Sequence, residues 1–369
     1  MEKFWFGKRV LVTGADGFVG AHLIKQLLMD KAVVVATVRH HRPLSTLDLI
    51  AEPEENVGKP DIETCDLLDY QEIRRICDRH QIDTIFHLAA TAIVSNAANS
   101  PMSTIENNVM TTLNLLEVAR INNIPRVVIA STDKAYGDHA TDETESLPYK
   151  ENYTLRGLDI YSASKVCADM IAQTYAFQFK LPVVITRSCN IYGPGDLNFT
   201  RLIPRTIMRL ISGKAPVINL GNENVLREYL YVKDVVNAYM HLAENIEVFY
   251  GEQNKNMPIS GPGTYGWPAF NFCSYTAEET KNLSSCENIK SVKDVITILR
   301  KKVNDIEPIT IPKPANFIEI PDQYLDCTKM RNLGFNSSTS FETGVKETID
   351  WYTKHYDTLK INAAKYINS

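Results

Sequence analysis

Tyr161 and Lys165 stand four residues apart in "YSASK", at the start of a helical pattern. On a helix that spacing puts the two side chains on one face. A free phenol ionises near pH 10, and a neighbouring ammonium favours the phenolate and lowers that value. The pair reads as a general base near neutral pH, able to take a proton from a substrate hydroxyl as a hydride departs. A second pair, Asp133 and Lys134 in "STDKAYG", follows a buried-looking run, "RVVIAS". At the end of a core strand, an acid beside an amine is either a solvated turn or a proton donor and acceptor in a cleft. Carboxylates ionise near pH 4 and ammonium groups lose a proton near 10.4. Burial pushes both groups toward neutrality and the adjacent opposite charge pushes both away from it. The two can also share one proton as a coupled unit.

These residues need a scaffold that brings them together. The runs "RVLVTG" (9–14), "AVVVATV" (32–38), "TIFHLAA" (84–90), "RVVIAS" (126–131) and "PVVITRS" (182–188) are apolar and strand-like. Helical patterns occupy 22–29, 107–122 and 162–179. Apolar strands alternating with amphipathic helices predict an α/β fold, a Rossmann-type doubly wound parallel sheet covered on both faces. Past residue 190 Pro and Gly increase and the elements shorten, which predicts a smaller, mixed α/β substrate domain. The expected division is 1–188 and 189–369, with the chain crossing back to the first domain near 225–245. The stretch 250–290 is polar and rich in turn residues and predicts a loop. A helical pattern returns at 291–303.

The 369 residues are 44% hydrophobic and 22% charged, with a formal net charge of −5. That balance gives no basic excess for nucleic acid. The seven cysteines are odd in number and include no C-x-x-C pair or metal-like spacing, so they read as reduced thiols of a cytoplasmic protein with no metal site. No secretory core follows the first residues, and no apolar run is long enough to span a bilayer.

"VLVTGADGFVG" places Gly14, Gly17 and Gly20 after the first strand and before a helix. Glycines there allow a tight turn and let backbone N–H groups approach a pyrophosphate at a helix N-terminus. The spacing resembles the short-chain dehydrogenase/reductase superfamily, in its extended, sugar-nucleotide-modifying branch. The resemblance implies an NAD(P) cofactor, tightly bound and recycled, held by Gly14, Asp16, Gly17, Phe18, Val19 and Gly20. It places Asp66 and Leu67 of "CDLLD" near the adenine, and Leu88, Ala89 and Ala90 of "HLAA" along the other ribose. His87 reads as a core histidine. The second strand ends in "VRHHRP", with Arg39 and Arg42 and no acid for a ribose hydroxyl. Arginine can pair with a 2′-phosphate, so NADP is slightly favoured over NAD. Tyr161 and Lys165 match the superfamily's pair residue for residue and also border the cofactor. The third member is Ser131 or Thr132, with Thr132 favoured.

"TDK" at 132–134 resembles one group within that branch. Sugar-nucleotide 4-epimerases carry small or apolar residues after the Ser/Thr. The 4,6-dehydratases carry an acid and then a second proton-transfer group. That last group is Glu in dTDP-glucose and GDP-mannose dehydratases, and Lys in CDP-glucose dehydratases and some UDP-N-acetylhexosamine dehydratases. The implied reaction oxidises C4 of a hexose, removes the C5 proton, expels the C6 hydroxyl as water and returns the hydride to C6. Asp133 is then the acid, with Lys134 as or near the base. The resemblance also implies substrate contacts from Asn190 in "RSCNIYGPGD", Arg201 and Leu202 in "RLIP", and Arg227 in "REYLYVKD", whose planar fork suits a diphosphate. It covers about 5–245, and weakly "YLDCTKMRNLGF". It departs at Met110, where relatives often have Gly. It implies a homodimer through a four-helix bundle of 104–121 and 162–180. The leading expectation is an NDP-hexose 4,6-dehydratase of nucleotide-sugar metabolism and cell-surface polysaccharide biosynthesis, acting on CDP-glucose or a GDP-sugar. A 4-epimerase or ketoreductase on the same scaffold is the alternative. A non-catalytic cofactor-binding protein is a further one, although such proteins tend to lose the Tyr or the Lys.

Overall fold

The structure, a computed structural model, describes residues 3–50, 58–139, 144–247, 268–312 and 320–368. Its centre is a seven-stranded sheet of β1 (Arg9–Thr13), β2 (Val33–Val38), β3 (Asp61–Thr64), β4 (Thr84–His87), β5 (Arg126–Thr132), β6 (Val183–Ser188) and β10 (Ala269–Phe272). The order is β10-β6-β5-β4-β1-β2-β3, and every pairing is parallel. The chain direction across the sheet reverses between β1 and β4, which leaves a crevice at the C-terminal edge of the strands.

The strands are apolar without alternation because both faces are covered. Val10 and Val12 of β1 point into one core, with the helices Phe18–Met29 and Val232–Glu244. Leu11 points into the other, with the helices Tyr70–His80, Thr111–Ile121 and Ile160–Phe179. This two-residue period sorts the side chains between two layers. None of the described helices is long and apolar enough to cross a membrane.

Two strands of this sheet lie outside the apolar runs. β3 reads Asp-Ile-Glu-Thr and is largely exposed, because a sheet edge needs no second apolar neighbour and favours charge. β10 falls within 250–290, where the sequence predicts a loop. Residues 248–267 lie outside the described residues, but 269–272 pair with Ile185–Ser188 of β6 and are fully buried. Four residues are too few to show a period in a polar neighbourhood.

Beyond β6, a small sheet joins β7 (Asn190–Tyr192), β9 (Leu226–Tyr231) and β11 (Ile289–Ser291), and β8 (Val217–Asn219) pairs with β12 (Ile309–Ile311). The helices Leu202–Ile211, Val292–Val303, Phe341–Lys354 and Tyr356–Asn368 close a third core around them.

Candidate active site

The C-terminal ends of β1, β4, β5 and β6 open into one cleft of about 1620 Å³. Gly14, Thr132, Asp133, Lys134, Tyr161, Lys165, Asn190, Arg201 and Arg227 all border it, so the structure brings both sequence pairs to one place.

At the reacting end, β5 stops at Thr132 and turns through one 3₁₀ turn, Asp133–Tyr136. Thr132 Oγ1 caps that turn by accepting the Lys134 N–H at 3.3 Å. The Thr132 hydroxyl donates to Asp133 Oδ1 at 3.1 Å, and Lys134 Nζ lies 3.4 Å from the same oxygen. Asp133 is only 1% exposed, and its Oδ2 is buried without a partner. Lys134 is partly exposed. A solvated turn would leave both charges in water, whereas here the acid is walled in and the amine reaches toward the opening.

Tyr161 is the second residue of the helix Ile160–Phe179, whose N-cap Asp159 accepts the Ser162 N–H at 3.0 Å. The Tyr161 side chain lies beside Thr132 at the cleft. The sequence predicts a phenol lowered by Lys165; the structure differs. Burial pushes Tyr161 up to about 12, with the Thr132 hydroxyl and the Arg201 charge opposing it. Lys165 instead donates Nζ to the Ala130 carbonyl at 2.5 Å. Burial pushes its ammonium down to about 8, against the charge of Asp169. Desolvation outweighs the favourable charges at both groups.

At the other end, the turn after β1 is packed against the loop after β4. Gly14 has φ +68, and a Cβ there would sit 2.8 Å from the Ala89 nitrogen. A Cβ on Gly20 would sit 2.3 Å from the Gly14 carbonyl oxygen. The helix Phe18–Met29 begins without a side-chain cap, so its first N–H groups are available to an anion. Asp16, Gly17, Phe18, Val19, Leu67, Leu88, Ala89 and Ala90 border the cleft. Asp66 does not: it is exposed, and its carboxylate accepts the Leu68 N–H at 3.0 Å. Its neighbours Cys65 and Leu67 form the wall there. Arg39 donates to Asn107 Oδ1 at 2.9 Å, and Arg42 pairs with Asp16 of the glycine turn at 3.1 Å.

A buried relay behind the wall was not legible in the sequence. Thr13 Oγ1 accepts the Leu88 and Ala89 N–H groups, each at 3.2 Å. Thr13 also meets His87 Nδ1 at 2.8 Å, and His87 Nε2 meets Thr112 Oγ1 at 3.1 Å. The Thr112 hydroxyl donates to the Asn108 carbonyl at 2.8 Å. One proton arrangement satisfies every member, with Nδ1 accepting and Nε2 donating. Burial pushes His87 down to about 3 and both its ring nitrogens are taken by Thr13 and Thr112, so it is a neutral strut of the wall. Asn108 sits in a π-helical turn, Glu106–Met110, that interrupts its helix. It bonds Ser164 Oγ at 2.8 Å and Thr91 at both N–H and carbonyl. The register shift of a π turn aims adjacent residues differently: Asn107 meets Arg39 while Asn108 braces the Tyr161 helix. Nothing in the structure assigns a role to Met110.

At the substrate end, Arg201 pairs with Asp196 at 3.0 Å. Arg227 is largely buried; its Nη1 donates to the Leu226 and Pro321 carbonyls and its Nη2 to the Ile320 carbonyl, at 2.9, 2.6 and 2.5 Å. Both terminal nitrogens already have backbone acceptors. Asn190 and Leu202 border the cleft from β7 and from the start of the helix Leu202–Ile211.

Residues 11–348 match the family model for GDP-mannose 4,6 dehydratase. A trifunctional UDP-glucose 4,6-dehydratase, 3,5-epimerase and reductase of Arabidopsis thaliana is 30% identical over 359 residues, 94% of this chain and 47% of that protein. The chain thus spans about half the length of that curated relative. A dTDP-glucose 4,6-dehydratase of Escherichia coli is 28% identical over 377 residues, 96% of each chain. Among solved structures, a dTDP-glucose 4,6-dehydratase of Streptomyces venezuelae with NAD bound aligns with a TM-score of 0.75 at 23% identity, covering 96% of this chain and 99% of that one. That likeness carries the fold. With the match to residues 11–348, it follows that the chain belongs to the GDP-mannose 4,6-dehydratase family.

Proposed function

We propose that this chain is an NDP-hexose 4,6-dehydratase, a hydro-lyase that converts a nucleotide-diphosphate hexose to its 4-keto-6-deoxy form. The observation that carries the reading is Asp133, walled into the cleft between Thr132 and Lys134 with one carboxylate oxygen unpartnered. An epimerase or ketoreductase needs no such pair, because neither breaks the C6–O bond.

The glycine turn fits a dinucleotide, since Gly14, Gly17 and Gly20 border the cleft at the N-terminus of a helix that has no side-chain cap, where a pyrophosphate is favoured. A nicotinamide dinucleotide held by that turn would supply the hydride acceptor and, when oxidised, a positive charge. Tyr161 Oη takes the C4 hydroxyl proton, with Thr132 orienting it. The resulting C4 ketone acidifies C5–H. Lys134 takes that proton and Asp133 gives one to the C6 hydroxyl, which leaves as water. C5 regains a proton as C6 is reduced. Lys165 positions the helix and the β5 end through the Ala130 carbonyl. Asn190, Arg201, Leu202 and Arg227 hold the sugar and diphosphate.

Arg39 and Arg42 at the cleft support NADP, and NAD, bound in the Streptomyces structure, is the competing choice. Comparative titration of the two dinucleotides decides. Exposed Met102, Met170 and Phe177, on helices that pack together, support a homodimer through a four-helix bundle. All seven cysteines are free thiols, six of them buried, which supports a cytoplasmic setting.

The test is mass spectrometry of reactions with CDP-, GDP-, UDP- and dTDP-hexoses. Loss of one water from one of them establishes both activity and nucleotide. Unchanged masses with a C4 stereoisomer appearing by NMR would make the protein an epimerase.

A further inference from the structure

Residues 320–327 thread between β9 and Tyr149 along the cleft. The Gln323 N–H donates to the Leu226 carbonyl at 3.1 Å, and the Tyr149 N–H to the Tyr324 carbonyl at 3.1 Å. The Asp322 carboxylate accepts the Leu226 N–H at 2.8 Å. This zipper fixes Gln323 beside Arg227, and the side chain borders the cleft while only 1% exposed.

Gln323 Nε2 donates to the Asp133 carbonyl oxygen at 2.9 Å, across 190 residues of sequence. A carbonyl requires a donor, so this bond sets which end of the amide is nitrogen. Gln323 Oε1 is then buried with no donor, as is Asp133 Oδ2 in the same wall. Buried acceptors without donors are rare and unfavourable. Phosphate offers no donor at neutral pH, and its charge repels an amide oxygen. Hexose hydroxyls are donors.

We propose that Gln323 binds the hexose: its Oε1 accepts a hydrogen bond from one sugar hydroxyl while its Nε2 holds the Asp133 main chain. One amide therefore sets the sugar against the acid. The inference rests on the function proposed above.

The test measures dissociation constants of full-length wild type, Gln323→Met and Gln323→Asn. The ligands are the hexose nucleotide, its 2-, 3- and 6-deoxy counterparts, and the bare nucleoside diphosphate. One deoxy analogue is expected to bind wild type about tenfold more weakly than the parent. In Gln323→Met, the parent falls to the level of that analogue, while the nucleoside diphosphate binds as to wild type. Gln323→Asn, which keeps the amide but withdraws it by one methylene, shows the same pattern and serves if the Met variant does not fold. Equal weakening of the parent and every analogue, or of the nucleoside diphosphate, would make Gln323 structural only and overturn the inference. So would a shifted kcat–pH profile with hydroxyl discrimination intact, because the amide would then act on Asp133 alone. If wild type itself binds no sugar nucleotide, the proposed function falls with it, an outcome visible without any variant.

Discussion

The Ser131 hydroxyl donates to Asp169 Oδ2 at 2.9 Å, tying the end of β5 to the helix that carries Tyr161 and Lys165. The two hydroxyls at the end of β5 therefore have different tasks. Both border the cleft: Ser131 is tied to Asp169, and Thr132 donates to Asp133 and lies beside Tyr161. Thr132→Val is expected to lower kcat by about a hundredfold or more, in the range of a lost proton-transfer partner. Ser131→Ala is expected to keep kcat within a few fold and to lose about 1 kcal/mol of stability. Steady-state rates and urea midpoints of the two variants check this assignment.

Asp169 is also paired with Arg187 at 2.9 and 3.0 Å, with both side chains fully buried. Arg187 and hydrogen bonds from Gln173 and Ser131 hold the Asp169 carboxyl below its usual value even though burial opposes them. Asp169→Asn leaves the guanidinium buried beside a neutral amide. The expected cost is about 3–5 kcal/mol, read as a lower urea midpoint or as loss of folded protein. A midpoint equal to wild type would show that water reaches Arg187.

Lys134→Ala is expected to retain C4 oxidation and slow elimination. The readout is a deuterium isotope effect from substrate labelled at C5, small in wild type and larger in the variant. Dehydration at the wild-type rate would remove the lysine from the mechanism.

Glu228, on β9, is fully buried, and burial pushes its carboxyl from 4.5 up to about 8. The Ser274 and Leu325 N–H groups oppose that shift only partly. Between those two values the folded state holds a proton that the unfolded state has lost, so stability falls as pH rises from about 4.5 to 8. Glu228→Gln removes this dependence. Urea midpoints at pH 5, 7 and 9 should fall less steeply in the variant than in wild type; parallel curves would mean that Glu228 is ionised in the fold.

The five inner strands of the central sheet, the glycine turn and the Tyr161/Lys165 face were determined by the sequence itself. Each rests on a local rule: an unbroken apolar run means a strand covered on both faces, glycine at φ > 0 means a tight turn, and four residues on a helix mean one face. β3 and β10 were not legible because one is polar at an edge and the other is four residues in a polar stretch. Asp66 sits in the expected run but is exposed, between buried Cys65 and Leu67 past the end of β3, where no strand period reveals which neighbour faces the wall. Lys165 stands on the same face as Tyr161 yet bonds the Ala130 carbonyl, a partner on β5 that only packing supplies. Gln323, Glu228 and the Thr13–His87–Thr112–Asn108 relay join residues far apart in the chain. Their partners, and the desolvation that shifts their proton affinities, exist only once the layers close. Spacing along the chain names groups capable of chemistry, and burial in the tertiary structure decides the protonation state and the partner with which each one acts.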